Sequence, residues 1–186
     1  MSQIILLRHA KVIIDNPKIY SNQMGEFVDR YNSAPIENAE PSSRVKELVG
    51  SADIVVTSKL SRTVQTLSLF NKEPNLSSEI FNEAQLPYSN RRFIKLPAKV
   101  LAPIFRVLWL FGYKNHSESF AEAKHRAELG ADMLIEFSKE NKSVLLVGHG
   151  IMNRLIVKAL VKRGAVAKEK TGDANLTYKI LEIGLK

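Results

Sequence analysis

The sequence contains no cysteine among its 186 residues. This absence excludes a disulfide framework, a thiolate metal site and a cysteine nucleophile, and it fits a reducing compartment, so we expect a cytoplasmic protein. Long apolar runs are also missing. The longest run, 100–113, is shorter than the ~20 residues that span a bilayer, and it contains Pro103 and Arg106. The N-terminus has no basic region ahead of its apolar run, so no signal peptide is expected.

Acidic residues are outnumbered, with 19 Asp and Glu against 27 Lys and Arg, which gives a net charge of +8. A basic surface attracts anions such as phosphoesters, nucleic acid or acidic lipid headgroups. The stretch 84–117 has no acidic residue, and its basic residues are Arg91, Arg92, Lys95, Lys99, Arg106 and Lys114. Since apolar residues lie between these cations, we predict a single domain over 1–186 with a basic, apolar insertion at about 86–116.

Three interpretations of this insertion stay open at the level of sequence. It can be a helix packed on the sheet with solvated lysines, or a cap over an active site that selects an anionic and partly apolar substrate. It can also contact an acidic membrane surface peripherally, as basic amphipathic helices do.

Short β-branched runs alternate with segments of helical period along the chain. The alternation predicts an α/β fold, a three-layer α/β/α sandwich with a mostly parallel central sheet. One helix is marked by an apolar stripe from Phe120 to Phe137 and by a capping box of Ser119 and Glu122. The other predicted helices are 42–49, 61–70, 97–111 with a break at Pro103, and 151–162, and the predicted strands are 3–7, 53–57, 77–81 (weak), 143–147 and 176–183.

Two stretches, 16–41 and 86–99, do not match a regular element. The last strand, 176–183, follows a charged, turn-rich stretch, and we expect it at a sheet edge in either direction. In open α/β sheets the chemistry lies beyond the carboxyl ends of the strands, so the residues that follow strands are the candidates for function.

Histidines and arginines follow three of the predicted strands. Arg8 and His9 come after the first strand, His149 follows 143–147, and Arg62 lies in the first turn of the helix after 53–57. Arginine offers planar paired donors to phosphate oxygens, and a helix N-terminus favours an anion. The convergence of these side chains predicts a phosphate site.

A neutral imidazole is a competent nucleophile toward phosphorus when cations neutralise the phosphoryl oxygens. The chain has four histidines, and no carboxylate lies at a recognisable ligand spacing from them, so we predict no metal and no cofactor. His116 and His125 are expected to be structural or solvent-facing.

Three ordered motifs resemble the histidine phosphatase superfamily, the phosphoglycerate mutase-like group. They are Leu-Leu-Arg8-His9-Ala10, Ser58-x-Leu60-x-Arg62-x-x-Gln65-Thr66, and Val-Gly-His149-Gly150. The resemblance implies that His9 is the nucleophile that becomes phosphorylated, that Arg8, Arg62 and His149 hold the phosphoryl oxygens, and that Glu83 is the general acid and base. Glu73 and Glu79 compete with Glu83 for that role. The pair Glu118-Ser119 and Asn175 are weaker features of the same likeness.

The likeness has departures. Ala10 stands where the family commonly has glycine, and 16–41 does not match the loop that positions a bisphosphorylated sugar acid. The sequence therefore favours hydrolysis of a phosphomonoester, in a small molecule or a phosphoprotein, over mutase transfer. The main rival is a non-catalytic protein on the same fold that binds an anion, lipid or nucleic acid. No nucleic-acid-binding signature is present, so no obligate nucleic-acid partner is expected. The oligomeric state is left open.

Overall fold

The structure is a computed structural model that describes residues 1–184. Its eight strands are β1 (Ser2–Arg8), β2 (Lys18–Tyr20), β3 (Ile54–Thr57), β4 (Leu76–Ser77), β5 (Lys95–Pro97), β6 (Ser143–Gly148), β7 (Val166–Lys170) and β8 (Tyr178–Ile183). Its six α-helices are α1 (Met24–Ser33), α2 (Ser43–Gly50), α3 (Ser61–Ser68), α4 (Ala98–Leu110), α5 (Phe120–Glu140) and α6 (Gly150–Lys162). No helix of this described part is both long and apolar enough to cross a membrane.

Six strands form the central sheet in the order β4-β3-β6-β1-β8-β7, and β2 pairs with β5 in a separate two-stranded sheet. The four strands from β4 to β1 run parallel, whereas β8 is antiparallel to β1 and β7 is antiparallel to β8. The register of β1 on β6 sets Arg8 opposite Gly148. The two strands therefore deliver their following residues to the same edge.

Alternate residues of the inner strands feed cores on opposite faces of the sheet. Ile4 and Leu6 pack toward α5 and α6, and Ile5 and Leu7 pack toward α2 and α3. Burial on both faces explains why β1 and β6 are continuous apolar runs and not alternating ones. The predicted three-layer α/β/α sandwich with a mostly parallel sheet is confirmed.

Helix α5 begins as predicted, since the Ser119 side chain accepts from the backbone N–H of Glu122 and the Glu122 side chain accepts from that of Ser119. Small residues on its buried side, such as Ala123 and Gly130, allow a close approach to Phe81 and α6. The predicted stripe is therefore the packing face.

Three predictions of secondary structure were wrong. The weak strand 77–81 is only the end of β4 followed by a 3-10 turn, because the Ser78 hydroxyl caps the backbone N–H of Ile80. Helix α4 continues through Pro103, which is exposed while Leu101 and Phe105 on either side of it are buried. The strand from Tyr178 is not at the edge of the sheet, because β7 pairs along its outer side.

The two stretches for which the sequence predicted no regular element contain a helix and short strands. Residues 16–41 hold β2 and α1, and 86–99 holds β5. Their apolar residues, with those of α4, form a third core cluster around Met24, Phe27, Leu101 and Phe105. This cluster combines segments that are far apart in sequence, so it could not be predicted from the hydrophobic periodicity of any one segment. The prediction of one domain with an insertion stays a prediction, although α4 and β5 do lie inside 86–116.

Candidate active site

The two histidines that follow β1 and β6 lie together at the predicted edge of the sheet. The ring centroids of His9 and His149 are 5.2 Å apart, with the rings tilted by 59°. The backbone N–H of His9 donates to the carbonyl of Gly148 at 3.0 Å, which ties the two strand ends directly. The convergence expected from parallel strands is confirmed.

His9 is held in one tautomer by its own neighbour. The ring is almost fully buried, and its Nδ1 lies 2.6 Å from the carbonyl oxygen of Ala10. Because a carbonyl only accepts, Nδ1 carries the hydrogen and Nε2 keeps its lone pair. Burial, with the cations of Arg62 and Arg8, lowers the pKa of His9 to about 3. The ring is therefore neutral and nucleophilic at neutral pH.

The backbone around His9 is fixed from two other elements. The N–H of Ala10 donates to Thr66 Oγ1 of α3 at 2.9 Å, and the Asn175 side-chain amide donates to the carbonyl of His9 at 2.8 Å. Asn175 comes from the loop before β8 and was singled out in the sequence only through the family likeness. These bonds locate the Ala10 carbonyl that selects the histidine tautomer.

Arg62 is a buried cation in the first turn of α3. Its Nε donates to His149 Nδ1 at 3.2 Å, and its Nη1 donates to Asn32 Oδ1 at 2.8 Å. The guanidinium also lies 5.2 Å from the centroid of the Tyr31 ring. Burial lowers the pKa of Arg62 from its usual value, and the guanidinium remains charged at neutral pH. Asn32 and Tyr31 belong to α1, which sequence reasoning missed.

His149 is completely buried, and its two ring nitrogens are both engaged within the protein. Nδ1 accepts from Arg62, so the neutral ring carries its hydrogen on Nε2, which lies 2.7 Å from Ser58 Oγ. Burial and the nearby cations, Arg62 first, hold the pKa of His149 well below its usual range. A direct bond from His149 to a phosphoryl oxygen would require the ring to release one of these partners. Its role as a phosphate ligand stays a prediction.

Arg8 offers donors that are not fully used by the protein. Its Nη1 donates to the carbonyl of Asp173, whereas its buried Nε has no hydrogen-bond partner within residues 1–184. Gly150 lies against the guanidinium, since a Cβ there would come within 3.4 Å of the guanidinium carbon. The absence of a side chain at Gly150 thus gives Arg8 room beside His9.

Glu83 is joined to the site through the N-terminus of α6. Its carboxylate accepts from the backbone N–H groups of Ala84 at 3.0 Å, Ile151 at 3.2 Å and Met152 at 3.0 Å. Free N–H groups at a helix start are natural partners for a carboxylate. Of the competing carboxylates, Glu73 does not line the cavity beside Glu83, and Glu79 lines it but is largely exposed and pairs with Lys59 at 3.3 Å. Glu83 therefore remains the candidate for the acid.

A cavity of about 910 Å³ joins four of the predicted residues. It is lined by Arg8, His9, Arg62 and Glu83, whereas the fully buried His149 does not line it, and the structure adds Asn32, Asn82, Arg106 and Glu118. Its other walls are largely apolar, from α1, α4 and the loop 84–88, and include Met24, Phe27, Val28, Leu86 and Ala102. The arrangement can hold an anionic group at the sheet edge and a larger, partly apolar body above it.

Two arginines that the sequence did not single out hold the wall near Glu83. Arg106 of α4 donates to the carbonyls of Ala84 and Gln85, and Arg126 of α5 donates to the carbonyl of Asn82 at 2.7 Å. Arginine-to-carbonyl bonds over such sequence separations have no local pattern, so no sequence signal could have found them. His116 also lines the cavity, stacked on Tyr88, and His125 is exposed outside it.

The family model of the histidine phosphatase superfamily, branch 1, matches residues 42–185. The chain belongs to the histidine phosphatase superfamily. The matched range includes Arg62, Glu83 and His149, and Arg8 and His9 lie before it. The family predicted from the three motifs is therefore confirmed. A comparison with curated proteins found no match.

Solved structures similar to this member of the superfamily share its fold at low identity. A mycobacterial glucosyl-3-phosphoglycerate phosphatase in complex with VO3 is 15% identical with a TM-score of 0.61, over 98% of this chain and 93% of that one. The product of an open reading frame of Mycobacterium tuberculosis is 16% identical with a TM-score of 0.59, over 98% and 96%. Phosphoserine phosphatase from Entamoeba histolytica, with 3-phosphoglyceric acid, is 18% identical with a TM-score of 0.55, over 97% and 90%. At these identities the likeness shows the fold.

Proposed function

We propose that this protein hydrolyses phosphomonoesters, without a metal or cofactor, through a phosphohistidine at His9. The observation that carries the proposal is the hydrogen bond from His9 Nδ1 to the Ala10 carbonyl, which leaves Nε2 as the nucleophile in a cavity that also contains the guanidinium groups of Arg8 and Arg62. Membership of a phosphatase superfamily and the phosphatases among the similar structures support it.

In the first step, His9 Nε2 attacks phosphorus, the N–P bond forms, and the bond from phosphorus to the ester oxygen breaks. The hydrogen stays on Nδ1 and is donated to the Ala10 carbonyl, which stabilises the positive charge that develops on the ring. Arg8 and Arg62 neutralise the phosphoryl oxygens, and the carboxyl of Glu83 gives its proton to the leaving oxygen.

In the second step, water attacks the phosphohistidine while Glu83 takes one of its protons. The N–P bond breaks, inorganic phosphate leaves, and His9 returns to its neutral form with Glu83 protonated. The substrate we propose is a phosphorylated small molecule or a phosphoprotein, and the cytoplasm stays the predicted location.

The test is hydrolysis of a generic aryl phosphate in excess chelator across about pH 5 to 8, comparing the wild type, His9→Ala and His125→Ala. We expect turnover that survives chelator, falls by roughly 1,000-fold or more in His9→Ala, and is unchanged in His125→Ala, whose side chain is exposed outside the cavity. Acid-labile, alkali-stable phosphate should be trapped on the wild type and not on His9→Ala.

Two results would overturn the proposal. One is turnover that persists in His9→Ala or disappears on chelation. The other is an isomerised sugar phosphate formed without free phosphate, which indicates a mutase. Glu83→Gln tests the role of Glu83 as general acid. The change should slow the hydrolysis of phosphate esters of poorly acidic alcohols far more than the hydrolysis of aryl phosphates, because an aryl leaving group needs little protonation.

A further inference from the structure

The outer side of α4 is an exposed apolar stripe. Val100, Ile104, Val107, Leu108 and Phe111 recur at helical spacing, and between 42% and 86% of each is exposed to solvent. The loop before the helix adds Phe93 and Ile94, with exposures of 65% and 38%. We call these seven residues the α4 outer face. An exposed apolar patch of this kind in a soluble fold marks a surface that binds something.

Helix α4 already has two other faces with defined roles. Leu101, Phe105 and Trp109 are buried in the core, and the side that carries Lys99 and Arg106 lines the cavity. The α4 outer face is therefore neither needed for packing nor part of the cavity. The helix is therefore apolar both on the side that faces the core and on the side that faces solvent. It lies between the cavity and any partner that binds the α4 outer face.

Only cations flank the α4 outer face in its own segment. Arg91, Arg92 and Lys95 surround Phe93 and Ile94, Lys114 follows Phe111, and no acidic residue occurs over 84–117. Within residues 1–184 none of these four cations forms an ion pair. Arg92 and Lys95 lie over the ring of Tyr20, at 3.8 Å and 5.3 Å from its centroid. Their charges remain available to a partner.

We propose that the α4 outer face lies in the interface of an anionic membrane, with its flanking cations on the lipid headgroups. An aliphatic and aromatic stripe bordered by Lys and Arg is the chemistry that an anionic bilayer surface recognises. A second copy of the chain is disfavoured because a symmetric contact would set these cations against each other. Nucleic acid is disfavoured because phosphate contacts do not require an aliphatic stripe. Docking of this face brings the cavity wall of α4 close to the membrane surface.

The test is flotation of the full chain with vesicles of phosphatidylcholine alone or with roughly one third phosphatidylglycerol. We expect binding to the anionic vesicles only, weakening as salt rises. Arg91→Gln/Lys95→Gln/Lys114→Gln should lower the affinity by roughly 100-fold. The matched control Lys124→Gln/Lys142→Gln/Lys158→Gln removes the same charge from exposed positions elsewhere and should bind nearly as the wild type does.

The apolar residues of the α4 outer face are tested by a second variant with a matched control. Ile104→Ser/Val107→Ser/Phe111→Ser should abolish flotation, and Leu129→Ser/Val161→Ser/Val166→Ser, at exposed sites away from α4, should not. All four variants should keep a cooperative urea transition in the fluorescence of the buried Trp109, which shows that they fold.

The proposal does not rest on catalysis at His9, because flotation is measured without turnover. It is overturned if the wild type ignores anionic vesicles, if it binds neutral vesicles equally, or if the two triple variants in each pair behave alike. A wild-type dimer in light scattering that the Ile104→Ser/Val107→Ser/Phe111→Ser change splits would also overturn it and assign the face to self-association.

Discussion

Single backbone atoms decide the chemistry of His9. The Ala10 carbonyl fixes the tautomer, and the Ala10 N–H is in turn held by Thr66 Oγ1, which donates its own hydrogen to the Arg62 carbonyl at 2.6 Å. The residue at position 10 contributes through its backbone, so the methyl of Ala10 in place of glycine leaves these bonds intact. The backbones next to His9 and at Arg62 are thus joined through one buried hydroxyl.

We expect Thr66→Val to lower both stability and turnover. The change keeps the shape of the side chain but leaves the buried N–H of Ala10 without a partner, at a cost of about 1–3 kcal/mol in the free energy of unfolding. Because the Ala10 carbonyl loses its anchor, kcat should fall more than KM rises. Urea unfolding and steady-state kinetics measure this, with Ser68→Ala, on the exposed side of α3, as the control. An unchanged kcat would contradict the positioning role.

Gly148 is required by close contact. A Cβ there would lie 2.2 Å from Asn153 Oδ1, and that amide is committed to the N–H of His149 and the carbonyl of Leu7. We expect Gly148→Ala to lower the free energy of unfolding by about 1–3 kcal/mol and to impair turnover. Gly50→Ala, which meets nothing within 4 Å and needs no positive φ, should instead raise it by about 0.4–1 kcal/mol. Equal effects of the two changes would refute this account.

At the scale of elements, the site is built from helices that meet at the carboxyl edge of the parallel strands. Helix α6 presents its N-terminus to Glu83, α3 presents Arg62, and α1 crosses above to supply Asn32. Helix α5 contributes through Arg126, which bonds to the carbonyls of Ile80 and Asn82 and pairs with Glu118. Helices α3 and α6 reach this edge because they directly follow β3 and β6, whereas α1 and α5 reach it through tertiary packing.

We expect Arg126→Met to loosen the turn that carries Asn82 and Glu83. The change removes three carbonyl partners and leaves the largely buried Glu118 carboxylate unpaired, so the free energy of unfolding should fall by about 2–3 kcal/mol and kcat should fall with it. Arg30→Met, which breaks the exposed pair with Asp15, should cost less than about 1 kcal/mol. If the two losses are similar, the Arg126 network is not what holds the turn.

The whole molecule is sensitive to acid because two neutral histidines, His9 and His149, are buried near a cavity that is lined by four arginines, Arg8, Arg62, Arg106 and Arg126. The arginines repel the positive charge that protonation would place on the ring of His9 or His149. A phosphate dianion that enters the cavity offsets this repulsion. The cavity therefore favours anions for the same reason that it keeps His9 unprotonated. The α4 outer face, on the far side of one cavity wall, extends this basic character to the surface.

We expect the free energy of unfolding to fall as the pH falls from about 6.5 toward about 3. The unfolded chain protonates His9 near pH 6.5, whereas the folded chain does so at about 3, so acid favours unfolding throughout that window. At pH 5 the contribution of His9 alone is about 2 kcal/mol. Urea unfolding followed by the fluorescence of the single buried tryptophan, Trp109, measures it. The pH slope should be shallower in His9→Gln, and an identical slope would contradict the pKa assigned to His9.

The family, the layered fold and the residues at three strand ends were predictable from the amino-acid sequence, because each is marked locally by an apolar run followed by a short polar motif. The apolar stripe and capping box of α5 likewise lie within one element. The tautomer of His9, the engagement of both His149 nitrogens, and the contributions of Asn32, Arg106 and Arg126 became known from the three-dimensional structure alone. These depend on hydrogen bonds between segments distant in sequence, which have no spacing or period along the chain. They form only when packing brings the segments together.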